Sequence, residues 1–297
     1  MEQHPWIAAH IYYPGNTDKV LQHLLRPFLD EVQTILHPFT PWFFIRYWKQ
    51  GSHIRFRLNP LPGQEDHIRQ ELQKQANAFF RQYPAVPEQH DRHYSAPVAL
   101  RFEPYIPETE RYGNAKSLPA AEHLFYTSSA FVLERFAEIH KASLLIESLR
   151  MQLITLWATG WDERRLVHIC TLFIEGWLPR LYDPALEQTA QKAHWMAVFK
   201  QSFNRHADQI IPAFGAFRKA LLKGHTDHRS QQYYTNHTRM FETYENYRFT
   251  PEKMNAIVGS FLHMNNNRLG ISNHEEAYGM YCTCKCIQHI NHDQNPE

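Results

Sequence analysis

The sequence predicts an α+β protein, with a small mixed or antiparallel sheet in its N-terminal part and a larger helical C-terminal part. Short aromatic and β-branched runs are confined to the first part, and long helical patterns fill the second. The early elements follow the order strand, helix, strand, strand, helix, which is typical of an α+β layer. We therefore predict one domain over residues 1–297, with a sheet-containing part at 1–115 and a helical part at 116–297.

The elements of the sheet-containing part are separated by turn-forming residues. Gln50-Gly51-Ser52 joins two strand candidates and predicts a β-hairpin, and Thr17-Asp18 is expected to cap a helix. Apolar residues at helical spacing predict a second helix after Pro62-Gly63. The expected elements are strands at 6–13, 42–49 and 53–59, helices at 17–36 and 65–80, and an extended piece at 101–107.

Strand patterns nearly vanish after Leu118. Pro119 and Pro251 are each placed to open a helix. The polar stretch at 224–234 predicts a mobile loop. The expected helices cover 119–150, 163–181, 187–222 and 251–262, the last delivering the segment 263–270.

The composition excludes several protein classes. With 297 residues, 43% of them hydrophobic and 14% aromatic, the chain can bury a sizeable core. A formal net charge of +1, from 31 basic and 30 acidic residues, gives no overall field for nucleic acid or a membrane surface. No apolar run reaches the roughly 18 residues of a membrane span, and the first residues do not resemble a signal peptide. We expect a cytoplasmic protein that binds neither nucleic acid nor membranes directly.

Three of the four cysteines are clustered near the C-terminal end. Cys282, Cys284 and Cys286, with His289 and His292, could form a metal site. Their spacing is unlike that of zinc ribbons and fingers, and on a helix only Cys282 and Cys286 would share a face. The alternative is a reduced, polarizable segment without metal, and we expect no bound metal.

Arg55 and Arg57 lie two residues apart within a strand pattern, so both guanidinium groups are expected on one face of the sheet. Neighbouring like charges repel, and a planar guanidinium can bind a carboxylate through two hydrogen bonds. The pair therefore indicates half of an anion site. The alternative is a solvated edge strand whose charges block aggregation.

A third group of polar residues follows the helix that opens at Pro251. His263 and Asn267 are four residues apart and would share a helix face, while Gly270 is expected to end the helix. An imidazole there could give or take a proton near neutral pH. The alternative is a hydrogen-bonded helix terminus in which Arg268 offsets the helix dipole.

Three motifs together resemble the C-terminal domain of lantibiotic dehydratases, also called the thiopeptide-type bacteriocin biosynthesis domain. They are Trp42-Phe-Phe-Ile-Arg-Tyr-Trp48 with Gly51-Ser-His-Ile-Arg-Phe-Arg-Leu58, Pro107-Glu-Thr-Glu-Arg-Tyr-Gly113, and His263-Met-Asn-Asn-Asn-Arg-Leu-Gly270. The resemblance runs from about Trp6 to Tyr281. Asn114 departs from the family pattern, which usually has a second glycine there; because Asn tolerates left-handed angles, we expect the turn to survive.

The resemblance implies a lyase that eliminates glutamate from glutamylated Ser or Thr of a precursor peptide, leaving dehydroalanine or dehydrobutyrine. By motif, it assigns catalysis to Arg55, Arg57, Arg111 and His263. Tyr112 could donate to the enolate oxygen, or could simply pack beneath the turn. With Asn267 and Arg268, Tyr112 completes the predicted substrate-binding set. We expect the active cleft between the sheet and the helical part.

The resemblance also implies partners. They are a ribosomal precursor peptide, with its leader and glutamylated core, and a separate tRNA-dependent glutamylating subunit. No cofactor is expected. The exposed aromatics expected at 42–48 would suit a homodimer or a tight complex with that subunit.

Two alternatives remain. The chain could join two dehydroalanines in a formal [4+2] cycloaddition that builds a thiopeptide pyridine ring, although such an enzyme has no glutamate for the arginines to hold. It could instead be a non-catalytic subunit that docks the peptide along a strand edge.

Overall fold

A computed structural model of the chain describes residues 6–32, 40–85, 98–136, 138 and 143–292. The chain divides into two compact units. The sheet unit comprises Met1–Thr109 and Ala121–Glu138, and the helical unit comprises Glu110–Ala120 and Ile139–Glu297. A small antiparallel sheet in the first unit and many helices in the second confirm the predicted α+β class. That residues 1–297 act as one domain stays a prediction.

The sheet unit is built on four antiparallel strands in the order β2-β3-β1-β4. They are β1 (Ile7–Tyr12), β2 (Trp42–Tyr47), β3 (His53–Leu58) and β4 (Ala99–Phe102). The predicted hairpin joins β2 to β3, and Gln50 and Gly51 both take positive φ angles there, of 68° and 110°. β4 begins two residues before the extended piece predicted at 101–107 and overlaps only its first two residues.

One face of the sheet forms the core of this unit. Alternate residues of β1 and β3, such as Ile11 and Phe56, are fully buried. The ring of Phe28 packs edge-on against Phe56 at 5.9 Å. The surrounding helical segments are α1 (Asp18–Val20), a π-helical stretch (Leu21–Leu25), α2 (Arg26–Val32), α3 (Glu65–Gln82) and α4 (Leu118–Arg135), the last of which begins in the helical unit.

Both helices predicted for this part are present. Asp18–Val32 is helical throughout, and the predicted end near Leu36 lies outside the described residues. The apolar residues used to predict α3 are all buried: Ile68, Leu72, Ala76 and Phe79.

The expectation of exposed aromatics at 42–48 is wrong for most of that segment. Trp42, Phe43 and Phe44 are buried within the sheet unit, and Trp48 is 57% exposed. Phe43 packs against Phe125 of α4 at 5.2 Å, so its ring helps to attach that helix to β2. The segment therefore no longer argues for a homodimer.

The helical unit is organised around α5, most of whose residues are buried. The other helices of this unit follow one another along the chain. The most extensive packing between two elements is that of α6 against α11. The helices are α5 (Leu144–Ala158), α6 (Glu163–Trp177), α7 (Gln188–Asn204), α8 (Ala207–Leu222), α9 (His228–Glu245), α10 (Pro251–Leu269) and α11 (Glu276–His292). No helix in the described ranges is both long and apolar enough to cross a membrane.

The predicted loop at 224–234 is wrong, because α9 begins at His228. The Asp227 side chain accepts a hydrogen bond from the Ser230 amide at 3.0 Å and caps the helix. Tyr233, Phe241 and Tyr244 recur at helical spacing and are buried. His237 is buried in the same stripe, and the polar residues around it concealed the apolar periodicity.

Candidate active site

His263 lies in the last third of α10, which runs past the predicted Leu262 to Leu269. Thr250 caps the start of this helix through the Lys253 amide, and Pro251 occupies its first position. Gly270 ends the helix with φ of 84°, as predicted. His263, Asn267 and Arg268 are therefore all helical, and their relative directions are fixed.

The imidazole of His263 is hydrogen-bonded to a carboxylate that sequence reasoning missed. Its Nδ1 lies 2.9 Å and 3.0 Å from the two oxygens of Glu276, the first residue of α11. Glu276 is fully buried, whereas the His263 side chain is 14% exposed. No group in the part of the chain that the structure describes hydrogen-bonds to Nε2. The carboxylate therefore favours the tautomer whose Nε2 can accept a proton.

A chain of buried amides and hydroxyls holds the Glu276 carboxylate. Asn266 donates to Glu276 Oε2 from Nδ2 at 3.3 Å. The Asn266 Oδ1 atom in turn accepts from Ser148 Oγ at 2.7 Å and from Gln152 Nε2 at 3.0 Å. These two donors fix which way round the Asn266 amide lies. A continuous chain of hydrogen bonds thus runs from Ser148 and Gln152 on α5, through Asn266 and Glu276, to His263.

One face of the His263 ring is covered by an aromatic side chain. The Trp177 indole stacks on the imidazole at 4.4 Å between ring centroids, with an angle of 28° between the planes. The guanidinium of Arg180 lies 3.7 Å from the centroid of the same indole. The stack limits rotation of His263, so Glu276 and Trp177 together set its orientation.

His263 lines an open cavity of about 1120 Å³ in the helical unit. The cavity is bounded by α6, by α10 and by Arg111. Its remaining polar lining includes Asp162, Arg164, Arg165 and His168 on the α6 side and Glu252, Asn255 and Ser260 on the α10 side. The cavity is accessible to a ligand that would meet both an imidazole and a guanidinium.

Arg111 reaches the cavity from a short 3-10 helix, Thr109–Tyr112. Its Nε donates to Ser260 Oγ at 3.2 Å, which ties it to α10 one turn from His263. The following Gly113 has φ of 117°, and a Cβ there would lie 2.4 Å from Ser117 Oγ and 2.6 Å from a Phe249 ring carbon. Only glycine fits this turn, so the turn fixes the position of Arg111.

Asn114 preserves the turn, but not through left-handed backbone angles as expected. Gln50 and Arg248 are the non-glycine residues with positive φ in the described ranges. The Asn114 Oδ1 atom instead accepts hydrogen bonds from the amides of Lys116 and Ser117, at 2.9 Å and 3.1 Å. The side chain thereby stabilises the turn that leads into α4.

Arg55 and Arg57 lie on one face of β3, as predicted. The Arg55 guanidinium lies 3.5 Å from the Tyr47 ring centroid, and its Nε donates to His53 Nε2 at 3.2 Å. Arg57 is 7% exposed, and its Nη1 has no hydrogen-bond partner among the described residues. Burial, followed by the charge of Arg55, lowers the pKa of Arg57 to about 10. A partly unsatisfied buried guanidinium favours the anion-site interpretation over a solvated edge.

Two titratable neighbours of this face were missed by sequence reasoning. His10 pairs with Arg55 across β1 and β3, and burial with the charges of Arg57 and Arg55 lowers its pKa to about 3. Glu122 of α4 accepts a hydrogen bond from the Tyr105 hydroxyl at 3.0 Å, and burial raises its pKa to about 7. Each of the two groups is therefore neutral over part of the pH range in which it would ordinarily be charged.

The three predicted substrate-binding residues do not line the cavity. Tyr112 is 3% exposed and packs on Phe261 at 5.2 Å, which favours the packing alternative. Asn267 and Arg268 are buried on α10, and Arg268 donates to the Met264 carbonyl at 3.1 Å. Burial lowers the pKa of Arg268 to about 10. Their part in substrate binding stays a prediction, as does the cleft expected between sheet and helices.

The clustered cysteines lie inside the helical unit. Cys282, Cys284 and Cys286 on α11 and Cys170 on α6 are buried, and burial raises the pKa of Cys282 and Cys286 to about 12. His289 is exposed, and the side chain of His292 lies outside the described residues. No three potential ligands converge within the described ranges.

The sequence matches the family model described as "Lantibiotic biosynthesis dehydratase C-term" over residues 6–287. The chain belongs to this family. No protein in the curated comparison matches it. The lantibiotic biosynthesis dehydratase C-terminal family thus accounts for nearly the whole chain, as the three motifs predicted.

Solved structures share the fold of this dehydratase C-terminal chain. The tRNA-dependent lantibiotic dehydratase MibB from Microbispora sp. 107891 has a TM-score of 0.63 and 18% identity over 99% of this chain, which spans 29% of MibB. The pyridine synthase TbtD from thiomuracin biosynthesis has a TM-score of 0.69 and 14% identity, covering 95% of this chain and 97% of TbtD. TsrL has a TM-score of 0.65 and 12% identity, covering 98% and 99%. At these identities the likeness establishes the fold alone.

Proposed function

We propose that the chain eliminates glutamate from glutamylated Ser or Thr residues of a ribosomal precursor peptide, forming dehydroalanine or dehydrobutyrine. The observation that carries the proposal is the His263–Glu276 pair, which opens onto the same cavity as Arg111. A base beside a fixed cation is what elimination of a carboxylate requires. Membership of the dehydratase C-terminal family supports the same chemistry.

His263 is the proposed base. In the tautomer favoured by Glu276, the Nδ1 proton is donated to the carboxylate and Nε2 accepts the Cα proton of the glutamylated residue. The Cα–H and Cβ–O bonds break, the Cα=Cβ double bond forms, and the ester oxygen leaves with the glutamate as a carboxylate. Buried Glu276 then stabilises the imidazolium that His263 becomes.

The arginines are proposed to hold the glutamyl group. Glutamate attached as an ester has a free carboxylate and gains a second one when it leaves. Arg111 would bind one of these anions in the cavity. The family motifs assign Arg55 and Arg57 of the sheet unit to the same chemistry, and a guanidinium with an unsatisfied Nη1 suits a carboxylate ligand. This assignment gives the buried, incompletely satisfied Arg57 an anionic ligand.

The proposal requires a glutamylated substrate. We propose that a separate tRNA-dependent protein attaches the glutamate, and that this chain receives the modified precursor through its leader and core. The chain itself is not proposed to bind nucleic acid, because its formal net charge is only +1.

The decisive experiment incubates the purified chain with a synthetic peptide that contains one glutamylated serine. Loss of one glutamate with formation of dehydroalanine, and its absence in His263→Ala, would support the proposal. The fold shared with a pyridine synthase makes formal [4+2] cycloaddition the second candidate. An unreactive glutamyl peptide together with cyclisation of a peptide bearing two dehydroalanines would replace elimination with cycloaddition. Binding of both peptides without turnover would indicate the docking role.

A further inference from the structure

The cavity is longer than one glutamylated residue needs. It extends along α10 from Glu252 to His263, a rise of about 16 Å at roughly 1.5 Å per residue. Its volume of about 1120 Å³ reaches the upper end of the range for single small-molecule sites. The part remote from His263 is therefore available to a further portion of the substrate.

Two helices present matched rows of residues to this space. On α10, Asn255, Gly259 and His263 recur every four residues and line the cavity. Gly176 lies on the α6 side, one residue before the indole that covers His263. A Cβ atom built on Gly259 or Gly176 would meet no atom within 4 Å. These two glycines widen the groove where larger side chains would narrow it.

The burial of Asn255 is unusual for a polar residue in the wall of a groove. It is 91% buried, since its exposed fraction is 9%, and its Oδ1 has no hydrogen-bond partner among the described residues. Buried amide oxygens are seldom left without partners, because desolvation is not then compensated. A side-chain amide has one accepting oxygen and a donating nitrogen, so it complements a peptide group, which offers one donor and one acceptor.

The charges at this end favour a neutral backbone over a charged side chain. Arg165 is accompanied by Asp162 and Glu252, both of which raise its pKa against the lowering effect of burial. Arg164 adds a further positive charge to the lining. The acidic and basic groups nearly balance, so the groove does not select strongly for an anion.

We propose that the groove between α6 and α10 holds the extended backbone of the substrate peptide, and that Asn255 binds one of its peptide groups. This inference rests on the proposed function, because it places the modified residue at His263. Asn255 and His263 are eight residues apart, or about 12 Å along the helix. At about 3.3 Å per extended residue, Asn255 would bind a peptide group three to four residues from the modified one.

The test compares two synthetic probes in which an amide replaces the reactive glutamyl ester, so that neither can eliminate. The short probe is the glutamylated diaminopropionate residue with both ends blocked, and the long probe extends it by about five alanines on each side. We expect the wild-type chain to bind the long probe about tenfold more tightly, as measured by calorimetry. Asn255→Leu and Gly259→Leu should remove most of this advantage.

Gly215→Ala in α8 is the matched control. Its new Cβ would lie 3.9 Å from the nearest atom, and it does not line the cavity. It should keep the full advantage of the long probe, and the melting temperatures of all variants should equal or exceed that of wild type. In the wild type, N-methylation of one amide three or four residues from the centre should cost as much as Asn255→Leu.

Equal binding of the two probes by the wild type would overturn the proposal, as would an undiminished advantage in Asn255→Leu. Turnover of the corresponding ester probes is measured separately. An inactive wild type that still prefers the long probe would reject elimination and retain the groove. A wild type that is active but binds both probes equally would support elimination and reject the groove.

Discussion

Replacing Glu276 with glutamine tests whether the carboxylate sets the proton position on His263. Glu276 accepts hydrogen bonds on both oxygens, one of them from Asn266 at 3.3 Å. Asn266 cannot rotate its amide without losing the donors Ser148 and Gln152. A glutamine at 276 must therefore turn its oxygen toward Asn266 and its NH2 group toward His263.

The consequence is a change of tautomer. The NH2 group would lie about 2.9 Å from Nδ1, and the amide oxygen about 3.0 Å from it. Because Nδ1 loses its charged acceptor and meets a donor at the shorter distance, we expect the tautomer with the proton on Nε2 to be favoured. Nε2 then faces the cavity as a donor and cannot remove the Cα proton. General base catalysis typically contributes roughly 10²–10⁴-fold, so we expect kcat of Glu276→Gln to fall by about that factor, or about 3–5 kcal/mol in the barrier.

The assay is single-turnover elimination from the glutamylated serine peptide, followed by mass. Nitrogen-15 NMR of the imidazole provides a second measurement that does not depend on activity. Glu276→Asp is the matched variant, because it retains the charge and should lose less activity. A Glu276→Gln enzyme within about threefold of the wild-type rate, or one whose proton remains on Nδ1, would refute the reasoning.

Three other predictions concern stability and the anion site. Arg57→Met should abolish elimination yet leave the melting temperature equal or higher, because a buried, partly unsatisfied guanidinium is replaced by an apolar chain. Arg81→Met, at an exposed position of α3, is the control, and a lower melting temperature for Arg57→Met would contradict the argument. Gly113→Ala should reduce the free energy of unfolding by about 2–4 kcal/mol through strain and overlap, against about 1 kcal/mol for Gly160→Ala, where φ is also positive but space is open; equal costs in urea denaturation would disprove it. Because the folded pKa of Glu122 is raised to about 7, its contribution to stability is complete below the unfolded value of about 4.5 and is lost as pH rises through 7; Glu122→Gln should therefore gain stability over wild type at pH 8 but not at pH 4, and a pH-independent difference would argue against this.

Local patterns were sufficient to predict much of the fold. The β2–β3 hairpin, the buried stripe of α3 and the stop at Gly270 each depend on residues close together in sequence. The predicted helix at 187–222 is instead two helices that meet at Asn204 to Ala207, where neither Gly nor Pro marks a break. Such a break depends on packing with distant elements, which a single sequence does not display.

The residues of the candidate site could likewise be predicted from the sequence only in part. Strand and helix periodicity, together with family motifs, identified Arg55, Arg57, Arg111 and His263. Glu276 was missed because it lies beyond the turn after Gly270 and reads as an ordinary acidic residue in the first turn of α11. Asn255 had a usable signal, since it lies two steps of four residues before His263 on one helix. Only the structure shows that Asn255 is buried, and this burial is what indicates that it could bind a peptide group.

The location of the four cysteines gives the protein a built-in probe of local opening. All of them belong to α6 and α11, and the sequence has none in the sheet unit. A thiol reagent can therefore modify the native chain only when the helical unit opens, and the rate of labelling reports the stability of that unit alone. Because α6 is also a wall of the cavity, a bound peptide should slow the modification of Cys170. Ligands could thus be screened from the mass of the thiol-modified protein, without turnover.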